Sequence, residues 1–265
     1  MRVGVFDSGV GGLSVLESLL KARLFEHIIY YGDTARVPYG PKDPATIQKF
    51  SLEALDFFKP YRIDMLIVAC NSVSAWALLQ MRSQSKIPIV GVIEAGVLSV
   101  LKKTSQEQPI LILGTKATIT SNRYTKELGA HGYKNVQSLA TGLFVPLIEE
   151  GVLEGPLLEA CMVHYFKDLK CAPSVVVLGC THFPWIVSSL KGYFLERFKN
   201  PCEFVHSGEA IVEYLQEKYD LKPRNQESNL ELFASGDVSL LKQLAYSLRS
   251  KQISVGSQPV VKIHA

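Results

Sequence analysis

Short runs of valine, isoleucine and leucine recur along this chain, separated by longer amphipathic stretches. Runs at residues 3–6, 28–31, 65–69, 87–93, 110–113, 136–139, 175–178, 204–206 and 231–233 read as strands. Because consecutive positions are apolar, they suit parallel strands buried on both faces. Between them, Leu13, Leu16, Leu19 and Leu20 share one helical face. Asp43-Pro44 reads as an N-cap followed by proline in the first turn, and Ile47, Phe50, Leu55 and Phe58 continue that helix. Further helices are predicted over 156–166, 185–198, 208–219 and 238–248. Strand–helix alternation of this kind defines an α/β fold with mostly parallel sheets.

One internal echo bears on domain organisation. The segment from Asp64 to Ser72 parallels the segment from Ser174 to His182, each a buried-type strand ending in a cysteine, Cys70 or Cys180. Each is preceded at similar distance by a strand with a polar turn, Asp7-Ser8 in one case and Gly114-Thr115 in the other. The pattern implies two related α/β units facing each other. At 265 residues the chain fits one large domain or two small ones, and no Pro/Gly/Ser-rich linker divides it.

Composition narrows the function classes. With 28 basic against 25 acidic side chains the net charge is +3, too little for a nucleic-acid footprint. Hydrophobic residues make up 47%, which excludes a disordered chain. The five cysteines are odd in number and none has Cys-x-x-Cys spacing, so neither a disulfide framework nor a zinc knuckle is expected. No apolar run approaches the ~20 residues that span a bilayer, and the amino-terminal run is too short for a signal-peptide core. A soluble protein of a reducing compartment is expected.

Cys70 and Cys180 follow strands directly, where open α/β sheets bind ligands. Backbone N–H groups at a helix start favour a thiolate there. Cys161, Cys171 and Cys202 lack that setting and are expected to pack as small hydrophobes. His182, two residues after Cys180, can tune a thiol or deliver a proton, or serve as a turn residue. Asp7-Ser8 can orient a substrate or cap a helix. Gly9-Val10-Gly11-Gly12 fails as a dinucleotide fingerprint because Ser14 stands where the last glycine belongs, although its N–H groups suit a carboxylate. The stretch from Tyr31 to Gly40 is a connection or a loop closing over a small ligand. Glu149-Glu150 reads as a solvated helix end.

Taken in order, Gly4-Val5-Phe6-Asp7-Ser8-Gly9-Val10-Gly11-Gly12, Tyr31-Gly32-Asp33, Val37-Pro38-Tyr39-Gly40, Ala69-Cys70-Asn71 and Leu178-Gly179-Cys180-Thr181-His182-Phe183-Pro184 span most of the chain. This series resembles the glutamate racemases of the cofactor-independent aspartate/glutamate racemase superfamily. The resemblance implies Cys70 and Cys180 as paired catalytic acid/base thiols, with Asp7 and His182 beside them and Glu149 near the second. It implies substrate contacts from Asp7, Ser8, Tyr39, Gly40, Asn71, Ser72, Thr181 and His182, with hydroxyl contacts also expected from Thr115 and Thr118. It implies a discontinuous first domain of residues 1–92 plus 207–265, a second of 93–206, and an active site in the cleft between them. No cofactor, metal, nucleic acid or membrane is called for. A cytoplasmic enzyme supplying D-glutamate for peptidoglycan is implied, and homodimers are common in the family. One departure is Ser72, where the family usually carries threonine; serine keeps the hydroxyl and loses the methyl. On the residues alone, a Cys–His hydrolase, an amino-acid-binding module and a relative acting on aspartate are the rival readings.

Overall fold

The computed structural model describes residues 1–236 and the strand Val261–His264. Among the described residues ten strands run in chain order: β1 (Arg2–Asp7), β2 (His27–Gly32), β3 (Met65–Val68), β4 (Ile89–Gly91), β5 (Ile110–Gly114), β6 (Val136–Ala140), β7 (Val175–Gly179), β8 (Glu203–Val205), β9 (Asn229–Ala234) and β10 (Val261–His264). The helices are α1 (Leu13–Ala22), α2 (Pro44–Phe58), α3 (Asn71–Trp76), α4 (Leu78–Ser83), α5 (Val92–Lys103), α6 (Lys116–Thr120), α7 (Arg123–Ala130), α8 (Phe144–Glu149), α9 (Pro156–Phe166), α10 (Val187–Phe198) and α11 (Ser207–Tyr219).

The strands form two sheets, one ordered β10-β9-β2-β1-β3-β4 and the other β6-β5-β7-β8. Every pairing is parallel. The four strands β2-β1-β3-β4 and β6-β5-β7-β8 have the same connectivity, so β1 corresponds to β5 and β3 to β7. Strand order reverses between β1 and β3 in one sheet and between β5 and β7 in the other. Crevices open at such reversals, outside the carboxyl ends of the strands.

Side chains alternate across each strand. Val3 and Val5 face a core shared with Ile110, Ile112, Val175 and Val177 of the second sheet, and α1, α5 and α11 pack within that core. Phe6, Ile29, Leu66 and Val68 face the opposite way, onto residues of α2, α3 and α4. Leu111, Leu113, Val176 and Leu178 face a third cluster built from α8, α9 and α10, with Phe144, Phe166, Phe183 and Phe194 at its centre. The succession from outer cluster through sheet, shared core and sheet to outer cluster makes this an α/β fold with two pseudo-symmetric sheets.

The sequence expectations hold for most elements. Leu13, Leu16, Leu19 and Leu20 are all buried on α1. Asp43 caps α2, its carboxylate accepting from the Thr46 N–H at 3.0 Å and hydroxyl at 2.6 Å. Differences concentrate where an apolar run changes structure midway. The run predicted as a strand over 87–93 pairs only through Ile89–Gly91, and Val92 and Ile93 open α5. A short apolar run does not by itself distinguish a strand from a buried helix. His206 leaves the predicted strand because its Nδ1 accepts the Gly208 N–H at 2.8 Å and caps α11. The helix predicted from 185 begins with a 3-10 turn, Phe183–Ile186, before α10. The helix start expected after Cys70 is that of α3, and the helix end expected at Glu149-Glu150 is that of α8. Helices α4 to α7 have no counterpart in the sequence reading, and the helix predicted over 238–248 lies outside the described residues. Cys171 is exposed, not packed, whereas Cys161 and Cys202 are partly buried among the third cluster.

Ile112 has no exposed surface and sits in the core shared by both sheets. Ile112→Ala is expected to cost about 2–5 kcal/mol in urea unfolding. Leu79→Ala, at a side chain 62% exposed, should stay within about 0.5 kcal/mol of the parent.

Candidate active site

A cavity of about 420 Å³ opens where the carboxyl ends of both sheets meet. From the first sheet come Ser8 after β1 and Cys70, Asn71 and Ser72 after β3. From the second come Thr115 and Lys116 after β5, Gly142 after β6, and Cys180, Thr181 and His182 after β7. The loop between β2 and α2 contributes Val37 to Pro41, and α8 with its approach contributes Val145, Pro146 and Glu149. Both cysteines therefore end corresponding strands and face one cavity, 6% and 5% exposed.

Each thiol has its own polar setting. The Cys70 thiol donates to the Ser8 hydroxyl at 3.4 Å. Burial, with the Asp7 charge adding to it, pushes Cys70 up to about 12, so it stands as a neutral thiol at physiological pH. Cys180 Sγ lies 3.7 Å from His182 Nδ1, and His182 Nε2 lies 3.0 Å from Glu149 Oε1. Burial pulls the His182 imidazole down, but its hydrogen bonds to Cys180 and Glu149 and the nearby negative charge outweigh this. The net result pushes it up to about 10. Cys180 thus faces an imidazolium, whereas Cys70 faces a hydroxyl.

Asp7 does not line the cavity; it is wholly buried behind it. Its Oδ2 accepts the Gly9 N–H at 3.0 Å and its Oδ1 accepts the Thr181 hydroxyl at 3.3 Å. Burial raises its carboxyl, with His182 and the Gly9, Gly12 and Thr181 donors opposing the rise. The glycine loop therefore serves a carboxylate, but the carboxylate is the chain's own Asp7. Its glycines also allow a close approach: a Cβ on Gly11 would sit 2.4 Å from Thr181 Oγ1 and 2.5 Å from His182 Nδ1.

Tyr39 and Gly40 do line the cavity, so the turn-rich loop is part of its wall. The Tyr39 hydroxyl donates to Asp33, which also accepts Arg36 Nε at 2.6 Å. The Ser72 hydroxyl pairs with Thr115 Oγ1 at 2.9 Å, joining the two sheets across the cavity floor. Thr118 stands one layer back, 3.1 Å from Thr115 Oγ1. Glu149 ends α8 with its side chain 32% exposed and still reaches His182, so the solvated helix end and the site residue are the same group. Val37 belongs to the loop the sequence offered as a ligand-closing segment, whereas Lys116, Pro41, Gly142 and Val145 carry no motif. Lys116 directly follows the polar turn after β5, and that position was its one available signal. Among the described residues no three His, Cys, Asp or Glu side chains are grouped to hold a metal ion. Nor is any helix among them long and apolar enough to cross a membrane.

Fold and site together define a class: a pseudo-symmetric α/β protein with corresponding strand-end thiols in one cavity. The family model Asp/Glu/Hydantoin racemase matches residues 6–215. A glutamate racemase of Helicobacter pylori strain G27 is 60% identical over 250 residues, covering 92% of this chain and 98% of that protein. One from Campylobacter jejuni is 52% identical over 246 residues, covering 92% and 96%. The crystal structure of a Campylobacter jejuni glutamate racemase superposes with a TM-score of 0.91 at 50% identity, covering 96% of this chain and all of that one. A Francisella tularensis glutamate racemase in complex with D-glutamate gives 0.81 at 30% identity, covering 100% and 97%. The chain belongs to the Asp/Glu/Hydantoin racemase family, and it is a racemase, an isomerase by reaction class.

Two outcomes test this geometry. Gly11→Ala should displace His182 and lower turnover at least about tenfold, because a misplacement of order 1 Å can cost about 100-fold; steady-state kinetics with circular dichroism as a fold control checks it. For His182, the folded-state value near 10 lies above the ordinary value of about 6.5. Its contribution to stability is then complete below about pH 6.5 and is lost as pH rises through about 10. The melting-temperature gap between the parent and His182→Gln should therefore narrow steadily over that window.

Proposed function

We propose that this protein is a glutamate racemase that interconverts L- and D-glutamate through Cys70 and Cys180. The observation that carries the reading is the pair of cysteines at corresponding strand ends, facing one cavity with different proton partners. Racemisation needs a base on one face of the α-carbon and an acid on the other. Cys70 removes the proton from D-glutamate while Cys180 donates, and the roles reverse for L-glutamate. The two thiols hold opposite protonation states at any moment, so their titration belongs to the pair. Asp7 assists the Cys70 side, and His182, backed by Glu149, assists the Cys180 side.

The α-carbanion beside a carboxylate is the demanding intermediate. Oriented N–H and hydroxyl donors in an enclosed, water-poor cavity lower its energy. Ser8, Asn71, Ser72, Thr115 and Thr181 are the polar groups available to the substrate, and Tyr39-Gly40 closes the wall. Lys116 supplies a cation at the rim for a distal carboxylate. Support for glutamate comes from the named relatives, one of them a Francisella tularensis protein in complex with D-glutamate. In this reading the domains are 1–92 plus 207–265 and 93–206. The enzyme works in the cytoplasm as a homodimer and supplies D-glutamate to peptidoglycan synthesis.

Cys70→Ala and Cys180→Ala should each abolish racemisation of both enantiomers, followed by polarimetry. In D2O the parent should place deuterium at the α-position of the product, read by mass spectrometry. Product without deuterium, or substantial turnover by either variant, overturns the two-thiol mechanism. A Cys–His hydrolase would instead change substrate mass. Added pyridoxal phosphate should leave the rate unchanged.

A further inference from the structure

The residue following each cysteine is gripped by a side chain from the opposite half of the fold. Thr181, after Cys180, offers its carbonyl to the hydroxyl of Ser14 on α1, at 2.7 Å. Asn71, after Cys70, accepts at Oδ1 from the hydroxyl of Tyr124 on α7, at 2.8 Å. Helix α1 follows β1 of the first sheet, and α7 lies between β5 and β6 of the second. Each helix therefore reaches the thiol loop of the other sheet. Both donors are buried, Ser14 at 4% exposure and Tyr124 at 3%.

The surroundings are shaped for these contacts. A Cβ on Gly96 would sit 3.1 Å from the Tyr124 ring, and one on Gly179, just before Cys180, would sit 3.4 Å from it. The Asn71 amide continues to the Ser207 hydroxyl at 3.4 Å, which donates to the Leu178 carbonyl at 3.3 Å. Leu178 belongs to β7, the strand that Cys180 directly follows. One polar chain thus runs from the helix start beside Cys70 to the strand that carries Cys180. Ser14 also lies 3.0 Å from the Gly11 carbonyl, but its single proton goes to the shorter contact with Thr181.

We propose that Ser14 and Tyr124 are positioning residues, a reciprocal pair of braces that sets the separation and orientation of Cys70 and Cys180. Neither touches the cavity; each acts through the residue after a thiol. The proposal rests on the two-thiol reading above. In that chemistry the carbanion is reprotonated either by the thiol that formed it or by the opposite one. Only the second outcome inverts the centre, and it requires the second thiol to be held within reach. Removing either hydroxyl leaves a buried acceptor unpaired, at a cost of about 1–3 kcal/mol, so the fold is weakened but kept while the thiol loop loses its anchor.

The test uses Ser14→Ala, Tyr124→Phe and the double variant of the full chain, with D- and L-glutamate assayed separately in D2O. Each single variant should lose about tenfold or more in kcat, with KM within about threefold, as expected for misplacement of reacting groups. At low conversion, deuterium in recovered substrate, which enters when the abstracting thiol exchanges its proton with D2O before returning it, should rise relative to deuterium in product. The double variant should lose less than the product of the two single losses, because both braces hold the same geometry. Melting temperatures should fall modestly, by about 2–4 °C per kcal/mol lost, and Ser14→Thr, which keeps the hydroxyl, should recover turnover. Should one single variant fail to fold, the other carries the test alone. Parent-like kcat and an unchanged deuterium ratio in a folded variant would overturn the braces, as would a rise in KM alone. A parent enzyme that places no deuterium in product would instead overturn the two-thiol reading itself.

Discussion

Burial of one continuous apolar layer between two parallel sheets is the constraint on which this structure depends. Val3, Val5, Ile110, Ile112, Val175 and Val177 share that layer with α1, α5 and α11. Because strand side chains alternate, the same strands must place Phe6, Leu66, Leu113 and Leu178 on their outer faces. The sheets are thereby locked with their carboxyl edges toward a common cavity. The site follows from this packing: loops after β1, β3, β5 and β7 have nowhere else to converge.

Within that enclosure, unequal partners separate the two cysteines. Cys70 packs into one outer cluster and Cys180 into the other, so both are desolvated to a similar extent. Cys180 has a cation beside it, the His182 imidazolium held by Glu149. Cys70 has the Ser8 hydroxyl and the buried Asp7 carboxylate nearby, and both burial and that charge disfavour its thiolate. A fold that is symmetric in backbone is thus asymmetric in charge. The free protein starts with a proton on Cys70.

Much of this was legible in the sequence because its signals are local. Continuous β-branched runs announce parallel strands, and a cysteine directly after two such runs marks corresponding strand ends. What was illegible depends on contacts between distant segments. Ser14 reads from sequence only as a broken glycine fingerprint; its carbonyl partner lies 167 positions away. Tyr124 carries no local signal at all, and its partner Asn71 is 53 positions distant. Glu149 reads as a solvated helix end because about a third of its side chain is exposed, and only the fold brings His182 to it. Val92 and Ile93 read as strand because a buried helix and a buried strand present the same apolar letters over a short run.

The first and late parts of the chain meet in one sheet: β9 pairs with β2, which pairs with β1. Asp33, at the end of β2, is wholly buried, and the Ser235 hydroxyl after β9 donates to it at 2.5 Å across a separation of 202 residues. The same carboxylate anchors Tyr39 in the cavity wall. During synthesis Arg36 and Tyr39 reach this carboxylate first, and its third partner, Ser235, arrives only when nearly all of the described chain has been made. Pairing over such distances is also slow to form. The cavity wall around Tyr39 therefore draws on both early and late chain: a carboxylate set after β2 is completed by a hydroxyl that comes with β9.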